Sequence, residues 1–424
     1  MDTLPEEIVE LFIKSIDKNG EGRKVMCACM SVSRRFFRPA RSRLFSSVEF
    51  DRNLNIGLKL KHFRELLEYN SASYPPLGPC IKSLTLDWPS TFSPESVLNE
   101  NEIKGAILLL LAGPSCNIIK LSVNFGMALF PDPNSDYRAY HAFRTIFSVP
   151  SLQSLSLSWV RGFPSEMINI FKIQKLHTVL VQCRNPQTTT ISVTPPSTEP
   201  KRALNPQLRE VVVLNAILPQ EWFQDPETSP FSRLESLSMH LGTRMADNPS
   251  DLFDKYLTAC QHTLKNLKIH LIPNFSAIYP HSLQQMTELR KLTYIARYGY
   301  SRSDGENISW AMKPIIQSLA TMVDAPLNLQ HIVVCIPINL SDHRLGHIIF
   351  GEDKKTSELM DTLSSRRLES VEKVEIVLHL YGKQKPVRGT NITHPLPTFA
   401  VQAKVEHPRV ILTTNQTEEY GEGD

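Results

Sequence analysis

His343 and His347 stand four residues apart, a spacing that puts two imidazoles on one helical face as zinc sites do. Arg344, however, occupies the place where a metallopeptidase carries its glutamate base. Asp247, Asp251 and Asp254 lack the spacing and the glycine of a calcium loop. Cys27 and Cys29 form a CxC pair with no second pair to complete a cluster, and the seven cysteines are odd in number and scattered, as reduced thiols of the cytosol or nucleus are. No nucleophile elbow or phosphate loop is present, and thirty prolines against seventeen glycines disfavour a loop whose backbone must approach phosphates closely. These residues predict no metal, no cofactor and no catalytic group, so the chain is expected not to be an enzyme. Its chemistry should be recognition.

Charge narrows the partner. The chain has 46 Lys+Arg against 43 Asp+Glu over 424 residues, a formal +3 that is too small to draw nucleic acid or a membrane surface by itself. Arg34, Arg35, Arg38, Arg41 and Arg43 do cluster, but Glu6, Glu7, Glu10 and Glu49 dilute them, and a solvated helix face is expected there. Ala296 to Arg302 interleaves Arg297, Tyr298, Tyr300 and Arg302, a composition favoured at protein interfaces and at stacked RNA bases. The longest apolar run, Ala106 to Ala112, is far too short to cross a bilayer, and the acidic start is unlike a signal peptide. A location inside the cell, cytoplasmic or nuclear, is expected, with no nucleic acid and no membrane as partner.

Three zones must hold these residues. Residues 1–50 read as three short helices: Leu4, Ile8, Leu11, Phe12 and Ile16 keep helical spacing up to Asn19-Gly20, a second stretch carries Val25, Met26, Cys29 and Met30, and a third carries Phe36, Phe37, Ala40, Leu44 and Phe45. Strand-like Ser47 to Phe50 comes next. Residues 51–79 form a linker, with a helix over 56–70 that places Leu58, Leu60, Phe63, Leu66 and Leu67 on one broad face and caps the first repeat. From residue 80 to 384 the chain writes L-x-x-L-x-L ten times, beginning with Ile81/Leu84/Leu86 and ending with Val371/Val374/Ile376. One such unit cannot bury its own apolar edge, so the copies are expected to stack into an α/β solenoid. A Pro-rich loop over 185–206 interrupts them, and 385–424 reads as a C-terminal segment whose acidic end from Thr413 should fray.

The opening Leu4-Pro5-Glu6-Glu7-Ile8, then Phe12-Ile13 and Val32-Ser33-Arg34-Arg35-Phe36, resembles the F-box motif, including the fungal variant that ends in Ala40 and Leu44-Phe45. With the repeats behind it, the chain resembles the F-box and leucine-rich-repeat proteins, the substrate receptors of Skp-cullin-F-box ubiquitin ligases. The resemblance implies a three-helix F-box ahead of a leucine-rich-repeat horseshoe, a Skp-type adaptor and through it a cullin-RING ligase, and an unknown protein substrate held by the repeats. It assigns Leu4, Pro5, Ile8, Phe12, Ile13, Val32 and Phe36 to the adaptor-facing surface. Three features depart from the family pattern, the first being Asn19-Gly20-Glu21-Gly22-Arg23 in place of the Asp-Leu usual at the start of the second helix. Phe36 stands in place of the frequent tryptophan, and the asparagine or cysteine usual after each repeat strand is replaced, as at Pro89, Gly126 and Val160. An irregular solenoid is therefore expected.

The residues support a shared surface independently. Residues 1–50 hold more apolar side chains than one inward face can bury, and the surplus must cover either the end of the solenoid or a partner. If the first, the head is only a cap and the protein is a non-catalytic repeat scaffold. On the repeat strands, side chains between the apolar positions alternate to the opposite face. Glu210, Val212, His240, Lys268, His270, Lys291 and His331 lie there, and with Arg297, Tyr298 and Tyr300 they make the expected substrate surface.

Overall fold

Helix capping, period-two burial and strand register build the molecule. The computed structural model describes residues 5–17, 20–50, 56–69, 76–88, 94–134, 136–164, 167, 173–179, 181–183, 208–214, 229–241, 249–271, 283, 285–296, 315–320, 328–339, 354–363, 368, 370–381 and 410–416. Two compact units divide the chain, Met1–Gln207 and Leu208–Asp424.

The first unit opens with α1 (Glu6–Ser15), α2 (Gly20–Val32) and α3 (Arg34–Leu44). Glu6 and Glu7 in the first turn of α1 and Lys14 in its last complement the helix dipole. The helical spacing runs up to Asn19-Gly20, yet α1 stops at Ser15 and Gly20 starts α2, a terminal position where glycine costs little. Gly22 is required close behind it, because a Cβ there would sit 1.9 Å from the Asp17 carbonyl oxygen. Val9, Ile13, Met26 and Ala40 form the core of the three helices, with Ile16, Cys29, Met30, Phe36 and Leu44 packed against it. Arg43 fastens α3 to the end of α1 by donating to the Ile16 carbonyl at 2.6 Å.

Next come β1 (Ser47–Phe50), α4 (Ile56–Glu68), a 3-10 turn (Gly78–Cys80), β2 (Ser83–Asp87), α5 (Pro94–Leu111), β3 (Lys120–Asn124), α6 (Tyr137–Phe147), β4 (Ser154–Ser158), β5 (Arg161–Phe163), β6 (Lys175–Val179) and β7 (Gln182–Cys183). β1, β2, β3, β4 and β6 are parallel neighbours in chain order, while β5 pairs with β7. Leu84, Leu121, Leu155 and Leu176 are mutual partners across β2, β3, β4 and β6, so the strand leucines form a buried ladder. Burial alternates along each of these four strands, the signature of a sheet with one covered face. α6 covers it with Ala139, Ala142, Phe143, Ile146 and Phe147, and its first turn is capped by the Asp136 carboxylate, which accepts from the Ala139 amide at 3.1 Å. Trp88, Phe125, Phe130 and Phe163 extend the aromatic core around Phe143. The broad apolar face expected of the linker helix is narrower: Leu60 and Phe63 are buried, whereas Leu58 and Leu66 are exposed.

The second unit holds β8 (Glu210–Leu214), β9 (Ser236–Leu241), α7 (Pro249–Cys260), β10 (Asn266–Leu271), β11 (Lys291–Ala296), β12 (His331–Asn339), α8 (Lys354–Leu363), β13 (Lys373–Tyr381) and β14 (Val410–Gln416). These seven strands are again parallel and in chain order. Val211, Leu237, Leu267, Leu292, Ile332 and Val374 face one another in register and are buried. The fold is thus α/β on parallel sheet, and all ten copies of the repeated pattern contain a strand. Among the described residues, neither unit reverses its strand order, the feature that makes the ligand-binding switch point of doubly wound folds.

β14 corrects the reading of residues 413–416, while residues 417–424 lie outside the described residues. Fraying is expected from Thr413, but Thr413 to Gln416 continue a strand whose Val410-Ile411-Leu412 start pairs with β13 from Val374. Three consecutive apolar residues outweigh the polar composition after them. The Pro-rich loop 185–206 lies outside the described residues. Among the described residues, no helix is long and apolar enough to cross a membrane.

Candidate functional site

Two surfaces emerge, one in each unit. In the helical head, α1 turns Val9 and Ile13 into the core, so residues one position away turn outward. Ile8 is 48% exposed, Leu11 61% and Phe12 50%. Val32, the last residue of α2, is 59% exposed, and Phe36 of α3 is half-buried beneath Phe12, their rings edge to face with centroids 6.0 Å apart. Exposed Pro5 begins α1. Pro5, Ile8 and Phe12 therefore lie on one outward stripe of the first helix with Phe36 against Phe12, while Val32 is exposed at the end of α2. Ile13 does not face outward: it is 1% exposed, and its assignment to the adaptor-facing surface is corrected to the core. The helical period explains this, since Ile13 lies four residues from Val9 while Phe12 lies four from Ile8. Leu4 lies outside the described residues.

In the second unit the register arranges the alternate face in rows. One row runs Glu210, Ser236, Asn266, Lys291, His331 and Lys373 across β8 to β13, each directly opposite the next. The row two residues on runs Val212, Ser238, Lys268, Thr293, Val333, Glu375 and Ile411. Of the expected substrate residues, Lys268 and Lys291 are exposed, while Glu210, Val212 and His331 are partly exposed. His270 is corrected: it is 6% exposed, and its Nε2 meets the Ser238 hydroxyl at 3.1 Å, because Ser238 is small enough to let the ring fold down beside it. His240 stands on β9 opposite His270. Arg297, Tyr298 and Tyr300 lie outside the described residues, as do His343 and His347.

Lys373 and Glu375 escape the sequence reading, although the same alternation around Val374 and Ile376 would find them. Both face this site. The Glu375 carboxylate lies 3.3 Å from Lys373 Nζ and 3.3 Å from His331 Nε2. Partial burial raises the Glu375 carboxyl, but Lys373 and His331 together outweigh it and hold the group below its ordinary value. His331 is lowered by burial and by the flanking charges of Lys291 and Lys373, against the opposing pull of Glu375. Beside these rows, Val333, Cys335 and Val377 form a small buried cluster with Ile295 against it. Burial pushes the Cys335 thiol up to about 11, so it stays protonated at neutral pH. Among the described residues, no three His, Cys, Asp or Glu side chains gather as a metal site.

No protein-family model matches the sequence, and no curated protein matches it. The functional reading therefore rests on the residues and their geometry.

Proposed function

We propose that the protein is the substrate-recognition subunit of a Skp-cullin-F-box type ubiquitin ligase, acting in the cytoplasm or nucleus. In this reading, the three-helix head is an F-box that docks on a Skp-type adaptor, and the parallel strands belong to an irregular leucine-rich-repeat solenoid that holds a protein substrate. The chain itself is non-catalytic. It brings substrate lysines near the ubiquitin-charged enzyme of a cullin-RING assembly, raising their effective concentration.

One observation carries the reading. The head already has its own core in Val9, Ile13, Met26 and Ala40, yet it leaves Ile8, Leu11, Phe12 and Val32 roughly half-exposed or more. Ile8, Leu11 and Phe12, at helical spacing on α1, make an apolar surface of the kind that a groove on a second protein covers. Capping the repeats does not require it, because β1 joins the sheet through β2 and α4 buries Leu60 and Phe63. The order of the motif, Leu4-Pro5 to Leu44-Phe45 ahead of ten repeated strands, supports the family assignment in the same direction.

The test is co-purification with a Skp-type adaptor, comparing the full chain with Ile8→Asp/Phe12→Asp. Recovery of the adaptor by the unaltered chain and its loss by a folded variant is the expected result. Equal recovery by both, or none by either, rejects the proposal.

A further inference from the structure

The basic residues of β10 to β13 gather on one face of the second unit's sheet. Lys291, His331 and Lys373 occupy directly opposed positions on β11, β12 and β13, and Lys268 lies on the adjacent strand β10, one row along. At neutral pH the positive charge here belongs to Lys268, Lys291 and Lys373, since His331 between the last two is held below its ordinary value. Glu375 offsets only part of this, since its carboxylate is shared between Lys373 and His331. Lys268 and Lys291 are exposed and carry no ion pair among the described residues. Three lysines thus stand on one face across β10 to β13, and the Glu375 carboxylate meets only one of them, Lys373.

We propose that this row binds an acidic segment of a partner protein, with anionic side chains seated on Lys268, Lys291 and Lys373. The inference deepens the receptor reading and rests on it, by naming the substrate class that the second unit accepts. Spacing sharpens it. Opposed residues on adjacent parallel strands are about 4.8 Å apart, which puts Lys291 and Lys373, two strands apart, at about 10 Å. An extended polyproline-like peptide rises about 3.1 Å per residue, so acidic side chains three residues apart match that span. His331 lies between Lys291 and Lys373 in the register, and half-buried Thr293 beside Lys268 offers a short polar neighbour to the intervening residues. Nucleic acid fits less well: Glu375 and Glu210 sit in the same rows, the chain carries only +3 overall, and Tyr294, the aromatic of β11, is buried rather than presented for stacking.

The experiment uses the full chain and fluorescein-labelled twelve-residue peptides of Gly, Ser and Ala with Glu at every third position. Matched arms carry Gln at those positions, phosphoserine at those positions, or a single-stranded DNA twelve-mer in place of the peptide. Binding of the Glu or the phosphoserine peptide at least tenfold tighter than the Gln peptide is expected, and the better of the two identifies the anion as carboxylate or phosphate. Lys268→Ala/Lys291→Ala/Lys373→Ala should lose at least tenfold in affinity while the second unit stays folded, read as retained amide-exchange protection over β10 to β13. The single variants Lys268→Gln and Lys291→Gln should each lose about two- to fivefold, which keeps the test decisive if the triple variant folds poorly. Equal binding of Glu and Gln peptides, unchanged affinity in the variants, or DNA bound as tightly as the acidic peptides overturns the proposal. Adaptor capture by the triple variant should be unaffected, so a failure here is separable from a failure of the receptor reading.

Discussion

Ile8 and Ile13 lie five residues apart on α1, 48% and 1% exposed respectively, and the same substitution at each gives the sharpest test of which face of the head is core. Ile13→Ala removes buried methyl and methylene groups from the contact with Val9, Met26 and Ala40, where such truncations cost about 2–5 kcal/mol. Ile8→Ala removes a side chain that is already about half in water. Fully burying an isoleucine is worth about 1.5–3 kcal/mol, so about half of that is lost, and the better helix propensity of alanine returns a few tenths. A net cost of about 1 kcal/mol or less results. Because the chain has two compact units, a single melting temperature would mix them, and amide hydrogen exchange over α1 to α3 is the appropriate assay. At about 1.4 kcal/mol per tenfold, exchange there should accelerate about thirtyfold or more in Ile13→Ala and about fivefold or less in Ile8→Ala. Equal acceleration in the two variants, or the larger effect at Ile8, would show that the outward surface argued for adaptor docking is part of the core.

Acidification should weaken the second unit at the basic row. His331 has a folded-state value below its ordinary 6.5 and Glu375 one below its ordinary 4.5, so both bind protons more readily once unfolded; their contribution is present above those ordinary values and is lost as pH falls through the lowered ones. Denaturant midpoints tracked from pH 7.5 to 4 should fall for the unaltered chain and fall less across the first part of that range for His331→Gln; a steeper fall in the variant would contradict the sign. Asp136→Ala removes the side-chain acceptor for the Ala139 amide and should cost about 1 kcal/mol, read as faster exchange in the first turn of α6, with unchanged exchange there counting against the cap.

Much of the architecture is legible because burial in a parallel sheet writes itself into period two. Leu84, Leu121 and Leu155, or Leu237, Leu267 and Leu292, recur with polar residues between them, and a strand forms at each of the ten copies. The helical head is legible as three amphipathic segments, and Ser47 to Phe50 as the strand after them. Its inward face is not. Ile8, Phe12 and Ile13 are all apolar on one helix, so hydropathy cannot rank them, and the approach of α2 and α3 is what sends Val9 and Ile13 inside while Ile8 and Phe12 stay out.

On the sheet, residue order is enough to say which side chains alternate away from the core, Lys268, Lys291 and His331 among them. Which of them meet is fixed by strand pairing. Parallel register sets Lys291, His331 and Lys373 in one row and brings Glu375 between two of them, while it buries His270 beside Ser238. Separation along the chain is the cause: Lys291 and Lys373 come to flank His331 through pairing across the sheet, and local patterning carries no information about which distant strand lies alongside.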